Sequence, residues 1–182
     1  MRSALAAALL LSACWTGADP PAIEPATPAK RPAPEPLNLR IRLERTACFG
    51  TCPAYTVSVQ GDGRVEWIGH SSVATLGRQQ GHVTRGQLEE LSRRLDRVRF
   101  FERDEYGELP KKPECTTVGS TTQCSFGTSV TICSDTSHTI ISAWRGSRTH
   151  RIDNDHCNDR PELDALEDYI DRITNTEAWI GR

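Results

Sequence analysis

Apolar and polar residues alternate in three segments near the start of the folded region. Residues 39–43 read LRIRL, and this period of two indicates a strand with one buried face. The same alternation runs through residues 55–60 and resumes at residues 65–67, after a Gly-Asp-Gly turn at residues 61–63. These patterns predict an opening strand followed by a β-hairpin.

Apolar residues spaced three, four and three positions apart predict two helices. Thr84 and Gln87 have the spacing of a capping box, so the first helix is expected to begin near Arg85. The second is expected after Asn158, with Pro161 in its first turn. Both apolar stripes are narrow, which indicates that each helix lays one face on a sheet. The stripes consist of Leu88, Leu91, Leu95 and Val98, and of Leu163, Leu166, Ile170 and Ile173.

Between the two helices, the pattern predicts a second hairpin. Residues 138–144 and 148–152 flank an Arg-Gly-Ser turn, whereas residues 107–129 are polar, lack periodicity and are interpreted as a long surface loop. The predicted order is β-β-β-α-β-β-α. This order indicates an α+β fold with a largely antiparallel sheet covered on one face by two helices. Trp67 and Trp144 are expected to pack beneath those helices.

The first fourteen residues, MRSALAAALLLSAC, have the pattern of an export signal. Arg2 precedes an apolar stretch too short to span a bilayer, and the stretch ends in Leu-Ser-Ala-Cys, which resembles a bacterial lipobox. We predict a lipoprotein signal peptide at residues 1–13 and lipid attachment at Cys14; an ordinary secretory signal is the alternative. Trp15 stands where an Asp would favour inner-membrane retention, so an outer-membrane location is expected by analogy.

Residues 14–37 are predicted to form a lipidated Cys and a disordered tether. The segment from residue 16 to 36 contains seven of the eleven prolines and few side chains able to enter a core. Residues 38–182 have the length of one domain with a continuous core. The formal net charge is −2, so no basic field indicates nucleic acid as a partner.

Six cysteines remain after Cys14, and an even number in an exported domain favours three disulfides. Fifteen connectivities are open; the favoured pairs are Cys48–Cys52, Cys115–Cys124 and Cys133–Cys157. Zinc is an alternative because His156 stands beside Cys157, and zinc and redox chemistry are both alternatives for the CFGTC segment at residues 48–52. Both chemistries prefer two intervening residues, whereas CFGTC has three, so a structural disulfide is favoured.

No local motif indicates catalysis or a metal. The acidic segment DNDHCND at residues 153–159 lacks the oxygen ligand and the glycine of a calcium loop, and it is interpreted as a hydrated loop ending in a helix cap. The common nucleophile, zinc-protease and phosphate-loop motifs are missing from the sequence, and its five histidines are scattered. The sequence therefore predicts no catalytic residue, no metal site and no cofactor.

Residues 41–68 and 177–181 resemble a bacterial family of uncharacterised exported and lipoprotein domains, a domain of unknown function. Its C-x-G-x-C-P-x-Y loop and following D-G turn correspond to Cys48, Gly50, Cys52, Pro53, Tyr55, Asp62 and Gly63. The resemblance implies no known activity. It suggests that Cys48 and Cys52 form a local staple, that Gly50 allows the tight turn and that Pro53 leads the chain into the second strand.

Two classes of function follow from these observations. The first is a lipid-anchored, non-catalytic binding or structural module of the bacterial envelope, whose partners are the membrane and an envelope protein or polymer. The alternative is an envelope enzyme with a site assembled from residues distant in sequence. Exposed Trp or Tyr on the open sheet face would favour binding, and a His beside Asp or Glu in a cleft would favour catalysis.

Overall fold

The computed structural model describes residues 35–125, 133 and 136–181. The predicted signal peptide, Cys14 and nearly all of the predicted tether lie outside these residues, so they stay predictions. Within the described part of the chain, no helix is long and apolar enough to cross a membrane.

Eight strands and three α-helices make up the fold of the described residues. The strands are β1 (Leu39–Arg45), β2 (Ala54–Gln60), β3 (Arg64–Ser71), β4 (Gly77–His82), β5 (Glu114–Val118), β6 (Thr121–Ser125), β7 (Thr139–Arg145) and β8 (Arg148–Asn154). The helices are α1 (Arg85–Arg97), α2 (Pro161–Ile173) and α3 (Glu177–Ile180), and a 3-10 turn covers Phe100–Glu102.

Six strands form the main sheet, in the order β4-β3-β2-β1-β7-β8, and every neighbouring pair is antiparallel. β1 is central, and its Leu43 lies opposite both Val57 of β2 and Ile141 of β7. Because consecutive residues of a strand point to opposite faces, these three side chains share one face, where all are fully buried. The main core lies between this face and the helices.

The broad α+β class is confirmed, but the predicted order of elements is incomplete. It lacks β4, the β5–β6 hairpin and α3. β4 reads GRQQGH and contains no apolar side chain, so it has no periodic signal. β5 and β6 lie in the segment interpreted as a surface loop, and all their residues are exposed. Helix α3 has four residues, too few to show a stripe.

The two tryptophans singled out from the sequence lie on opposite faces of the sheet. Trp67 is fully buried, and its ring centroid lies 5.4 Å from that of Trp179 in α3. Trp144 follows Ala143, which is buried on the core face, and the alternation of β7 therefore directs it away from the helices. The prediction that Trp144 packs beneath the helices is wrong.

Three disulfides and a helix cap hold the loops and the start of α1 in place. Disulfides join Cys48 to Cys52, Cys115 to Cys124 and Cys133 to Cys157, which is the favoured set of pairs. The predicted capping box is formed, because Gln87 N donates to Thr84 Oγ1 and Thr84 N donates to Gln87 Oε1. The β2–β3 turn requires glycine at position 63. Gly63 has a φ of 93°, and a Cβ there would lie 2.5 Å from the carbonyl oxygen of Val83.

Candidate functional site

The face of the main sheet opposite the helices, here called the open face, is polar. No described helix covers it, and strand alternation places charged and amide side chains along it. Three ion pairs neutralise much of its charge: Arg42–Glu44, Arg78–Glu66 and Arg151–Asp153. The open face is thus hydrophilic without carrying a strong field of either sign.

Two adjoining depressions form a groove at the end of the open face nearest the β2–β3 turn. The first has a volume of about 320 Å³ and the second about 330 Å³, and both are bordered by Gln60 and Arg64. In the second depression the Arg40 guanidinium lies 3.8 Å from the ring centroid of Trp144. The remaining polar side chains of the groove are Asn38, Ser58, Asp62, Glu66 and Gln80.

A second polar region, here called the ionic cluster, lies beneath α2 on the covered face. Its centre is Glu167, which is 1% exposed. Glu167 lies four residues after Leu163 and three before Ile170, so it occupies the buried stripe of α2. Burial raises the pKa of the Glu167 carboxyl to about 7, although a hydrogen bond from Asn154 and the charge of Arg45 oppose this shift.

One side of the ionic cluster is a three-residue network joining β1, β2 and α2. Arg45 Nη2 donates to Asp171 Oδ2 at 2.8 Å, and Arg45 Nε donates to Tyr55 Oη at 3.0 Å. The Tyr55 hydroxyl donates to Asp171 Oδ1 at 2.8 Å. Burial and then the charge of Asp171 raise the pKa of Tyr55 above its ordinary value. Tyr55, the last residue of the C-x-G-x-C-P-x-Y loop pattern, thereby ties that loop to α2.

The other side of the ionic cluster gathers a histidine with two carboxylates. His156 Nδ1 lies 3.3 Å from Asp164 Oδ1, and His156 Nε2 lies 3.5 Å from Glu167 Oε2. Asn154 donates from Nδ2 to Asp164 at 3.1 Å and to Glu167 at 2.8 Å. The Thr139 hydroxyl oxygen lies 2.8 Å from His156 Nε2. Since His156 is 32% exposed and Asp164 46% exposed, this side of the cluster opens to solvent.

The interpretation of DNDHCND as a hydrated loop ending in a helix cap is only partly right. Residues 155–159 form a loop, but Asp153 and Asn154 belong to β8, and the segment supplies no helix cap. Asn154 is 1% exposed because it ends β8 on the core face beside Glu167. The N-cap residue of α2 is Arg160, and its side chain makes no capping hydrogen bond. Instead Arg160 is buried and pairs with Glu108 at 3.0 Å. The segment thus contributes to the ionic cluster through side chains that turn inward.

Sequence reasoning assigned no role to His156, Asp164 or Glu167. Two signals were present in the sequence: a glutamate inside the apolar stripe of α2, and an aspartate three residues before it on the same helix face. The contribution of His156 had no such signal, because it depends on the loop after β8, where this residue has a φ of 57°. That left-handed conformation turns the loop back towards α2.

The predicted structural residues lie at the two ends of the sheet. Gly50 and Pro53 belong to the loop between β1 and β2, near the ionic cluster, and the N–H of Gly50 donates to the carbonyl of Cys48 at 2.8 Å. Asp62 and Gly63 lie at the groove, where Asp62 Oδ1 accepts from the Arg64 N–H at 3.1 Å. These residues therefore shape the loops beside both candidate regions.

A family model described as "Domain of unknown function (DUF6438)" matches residues 39–174, which run from β1 through the end of α2. The chain belongs to the DUF6438 family. A comparison with curated proteins finds no match. Both the open face and the ionic cluster lie inside the DUF6438 region, whereas α3 follows it. The expected membership in a family of unknown function is confirmed at this level.

Proposed function

We propose that the chain is a lipid-anchored module of the bacterial cell envelope that binds an envelope polymer through its open face. The observation that carries this proposal is the groove beside Trp144. It combines an aromatic ring with amide, hydroxyl and charged side chains on a sheet face that no described helix covers. Each depression is at the lower end of the sizes typical of small-molecule sites, which suits one repeating unit of a polar polymer.

The sequence and the disulfides support a location outside the cytoplasm. The lipobox-like Leu-Ser-Ala-Cys ends at Cys14, and the three disulfides are of the kind that form in oxidising compartments. A diacylated and further acylated Cys14 would hold the protein at a membrane, since two or more chains anchor stably. The proline-rich segment would let the domain reach a polymer near that membrane and would raise its effective concentration there.

The side chains of the groove favour a partner recognised through hydroxyl and amide groups over one recognised chiefly by its charge. Its charged residues are mostly paired: Arg64 contacts Asp62 at 2.7 Å and Glu66 contacts Arg78 at 3.0 Å. A partner recognised chiefly by charge would need an unpaired field of one sign. Neutral donors and acceptors such as Ser58, Gln60 and Gln80, next to an aromatic ring, suit a ligand rich in hydroxyl and amide groups.

The anchoring part of the proposal is tested by replacing Cys14 with Ser and fractionating the cells. The parent chain is expected with membranes and the Cys14→Ser chain in the soluble periplasmic fraction. If the variant stays with membranes as firmly as the parent, the lipid-anchor proposal is wrong.

The binding part is tested by co-sedimentation of the full chain with purified peptidoglycan. Trp144→Ala and Gln60→Ala are expected to weaken binding about tenfold, because each removes a contact of the groove. Phe49→Ala is the matched control, since Phe49 is 95% exposed in the disulfide loop at the opposite end of β1. The proposal fails if the parent does not sediment with the polymer, or if only Phe49→Ala weakens binding.

The ionic cluster supports a second candidate function, that of an envelope enzyme. The supporting observation is the grouping of His156 with Asp164 and Glu167, in which His156 and Asp164 are partly open to solvent and Glu167 is buried. Prolonged incubation with purified peptidoglycan and analysis of the released fragments tests this candidate. It predicts fragments from the parent and none from Asp164→Asn; fragment release by both proteins, or by neither, would exclude this grouping as a peptidoglycan-cleaving site.

A further inference from the structure

We infer that His156, Asp164 and Glu167 form a binding site for a divalent transition-metal ion of the zinc type. The inference goes beyond the proposed polymer binding and does not depend on it. It also departs from the sequence-based prediction of no metal site, which considered cysteine pairs and calcium loops.

The donor set fits zinc in its chemistry and its spacing. Each of the three residues offers one ligand atom, and these atoms all lie within 4.8 Å of one another. His156 Nδ1 and Asp164 Oδ1 are 3.3 Å apart. Two donors of a tetrahedral zinc ion are about 3.4 Å apart when each bond is about 2.1 Å. One imidazole and two carboxylates would leave a fourth position for water.

The hydrogen bonds around His156 direct Nδ1 towards the ion. Thr139 Oγ1 accepts from Arg45 Nη1 at 2.9 Å and lies 2.8 Å from His156 Nε2, while its own hydroxyl bonds Glu167. With its one proton used on Glu167, Thr139 accepts a second hydrogen bond from the Nε2–H of His156. The Nδ1 lone pair then faces Asp164 Oδ1 at 3.3 Å, and Asn154 Nδ2 lies 3.4 Å from it. Because Asn154 already donates to both carboxylates, a cation between Nδ1 and Asp164 Oδ1 would satisfy both acceptors.

Asn154 acts as the outer support of the same site. Its amide donates to both Asp164 Oδ1 and Glu167 Oε1, at 3.1 and 2.8 Å, and so holds the two carboxylates towards each other. Hydrogen bonds to ligating carboxylates of this kind orient them for a metal ion. The amide oxygen of Asn154 in turn accepts from the His156 N–H at 3.3 Å, which fixes the loop carrying the imidazole.

The surrounding charges leave a negative site. Arg45 is held by Asp171 at 2.8 Å, and Arg160 is held by Glu108 at 3.0 Å and Asp155 at 3.4 Å. Arg45 also approaches Glu167, but only to 3.5 Å. Among the ion pairs of the described residues, Asp164 pairs with His156 alone. A divalent cation would therefore neutralise two carboxylates that the arginines leave undercompensated.

The three proposed ligands differ in their exposure to solvent. Glu167 is 1% exposed and forms the floor, whereas His156 and Asp164 are 32% and 46% exposed. The partial exposure of His156 and Asp164 lets an ion approach these two donors from solvent. The Cys133–Cys157 disulfide, adjacent to His156 in the chain, ties down the loop that supplies the imidazole.

The test is equilibrium dialysis of the full chain, purified after export with its disulfides intact, stripped with EDTA and then exposed to Zn²⁺. We expect one zinc ion per chain and a higher melting temperature with zinc than without it. His156→Asn and Asp164→Asn are expected to weaken zinc binding about tenfold or more. Asn is chosen at 156 because it tolerates the left-handed φ of 57°.

Matched controls replace residues of the same types outside the cluster. Asp168→Asn lies on the exposed side of α2, and His70→Asn lies on the open face, where its ring pairs with Thr56 at 3.0 Å. Both should bind zinc as the parent does, and so should Trp144→Ala, which separates this inference from polymer binding. Cobalt substitution should give a spectrum without thiolate charge-transfer bands, since no cysteine is a ligand.

Three outcomes would overturn the inference. The first is a parent chain that retains no zinc after dialysis. The second is equal zinc binding by the parent and by folded Asp164→Asn, a variant at a half-exposed position that is suited to remaining folded if His156→Asn does not. The third is a cobalt spectrum with thiolate bands, which would move the ion to the cysteines.

Discussion

Helices α1 and α2 are both thirteen residues long and lie on the same face of the main sheet, yet they contact it through different chemistry. The buried residues of α1 are the leucines 88, 91 and 95. α2 buries five apolar side chains and, among them, Glu167. Two further acids of α2, Asp164 and Asp171, extend the polar contact on either side.

The difference indicates that α1 is selected for stability, whereas the polar residues of α2 do not serve stability alone. Burying apolar area at α1 contributes about 25 cal/mol per Å². Burying Glu167 costs desolvation that its hydrogen bond from Asn154 and its 3.5 Å contact with Arg45 only partly offset, since its pKa stays raised. Buried ion pairs are often no more stabilising than apolar residues of similar volume. A leucine at 167 would have extended the stripe of α2. The ionic cluster is therefore better explained by a function of that region than by its contribution to stability.

The largest effect is expected from the apolar helix. Leu91 of α1 is fully buried, so Leu91→Ala should leave a cavity and lower the free energy of unfolding by about 3.5 kcal/mol. Urea denaturation of the parent and the variant measures the loss. Glu89→Ala, at a half-exposed position of the same helix, is the control and should change stability by less than about 0.5 kcal/mol. A loss below about 1 kcal/mol for Leu91→Ala would show that α1 contributes less than its packing indicates.

The apolar helix is also the region that the sequence predicts best. Thr84, Gln87 and the leucine stripe are local signals, and the structure forms the helix and its capping box where they predict them. The central strands were predictable for the same reason, because Leu39, Ile41 and Leu43 alternate with charged residues within one segment. β4 could not be found, since an edge strand of Gly, Arg, Gln and His is defined only by its pairing with β3.

The ionic cluster depends on contacts that no local pattern carries. Arg45 and Asp171 are 126 residues apart in the chain, and Arg45 looks like any charged strand residue until β1 and α2 are placed together. The two faces of β7 pose a related problem. Trp144 is an apolar residue that lies on the open face, and only the parity with Ala143 and Ile141 identifies its side. Residue type alone predicted the wrong face.

A second prediction tests whether the ionic cluster is held by its arginine. Arg45→Met removes the cation that contacts Asp171 at 2.8 Å and Glu167 at 3.5 Å, leaving two carboxylates without it. We expect the free energy of unfolding to fall by about 2.5 kcal/mol, less than for a fully buried pair because Arg45 is 25% exposed. Adding Glu167→Gln to Arg45→Met should restore part of the loss, since one unpaired charge is removed. Strict additivity of the two changes would contradict this coupling.

The pH dependence of stability should separate the two helices further. Glu167 has a pKa of about 7 in the folded chain and an ordinary value of 4.5, so the folded state binds more protons than the unfolded state between these values. Its contribution to the free energy of unfolding therefore falls as pH rises, by about 2 kcal/mol from pH 5.5 to 8. Relative to the parent, Glu167→Gln should gain that amount over the same pH range.

This measurement is made by urea denaturation in the presence of EDTA, so that no metal ion contributes. Leu91→Ala provides the comparison from α1, because it should lower stability by the same amount at both pH values. If the free energy of unfolding changes equally with pH in the parent and in Glu167→Gln, then the pKa of Glu167 is not raised in the folded chain.

The smallest effect is expected at the first turns of the helices. There α1 is capped by residues next to it in the chain, whereas the first turn of α2 is held by ion pairs with residues from other segments. α1 is capped by its own Thr84 and Gln87, whereas the N-cap residue of α2, Arg160, makes no side-chain cap and pairs with Glu108 and Asp155. Thr84→Ala should lower the free energy of unfolding by about 1 kcal/mol, because the N–H of Gln87 loses its acceptor. Thr84→Ser, which keeps the hydroxyl, should lose little, and both variants are compared with the parent by urea denaturation. Equal losses for Ala and Ser would mean that the methyl group of Thr84, rather than its hydroxyl, supports the start of α1.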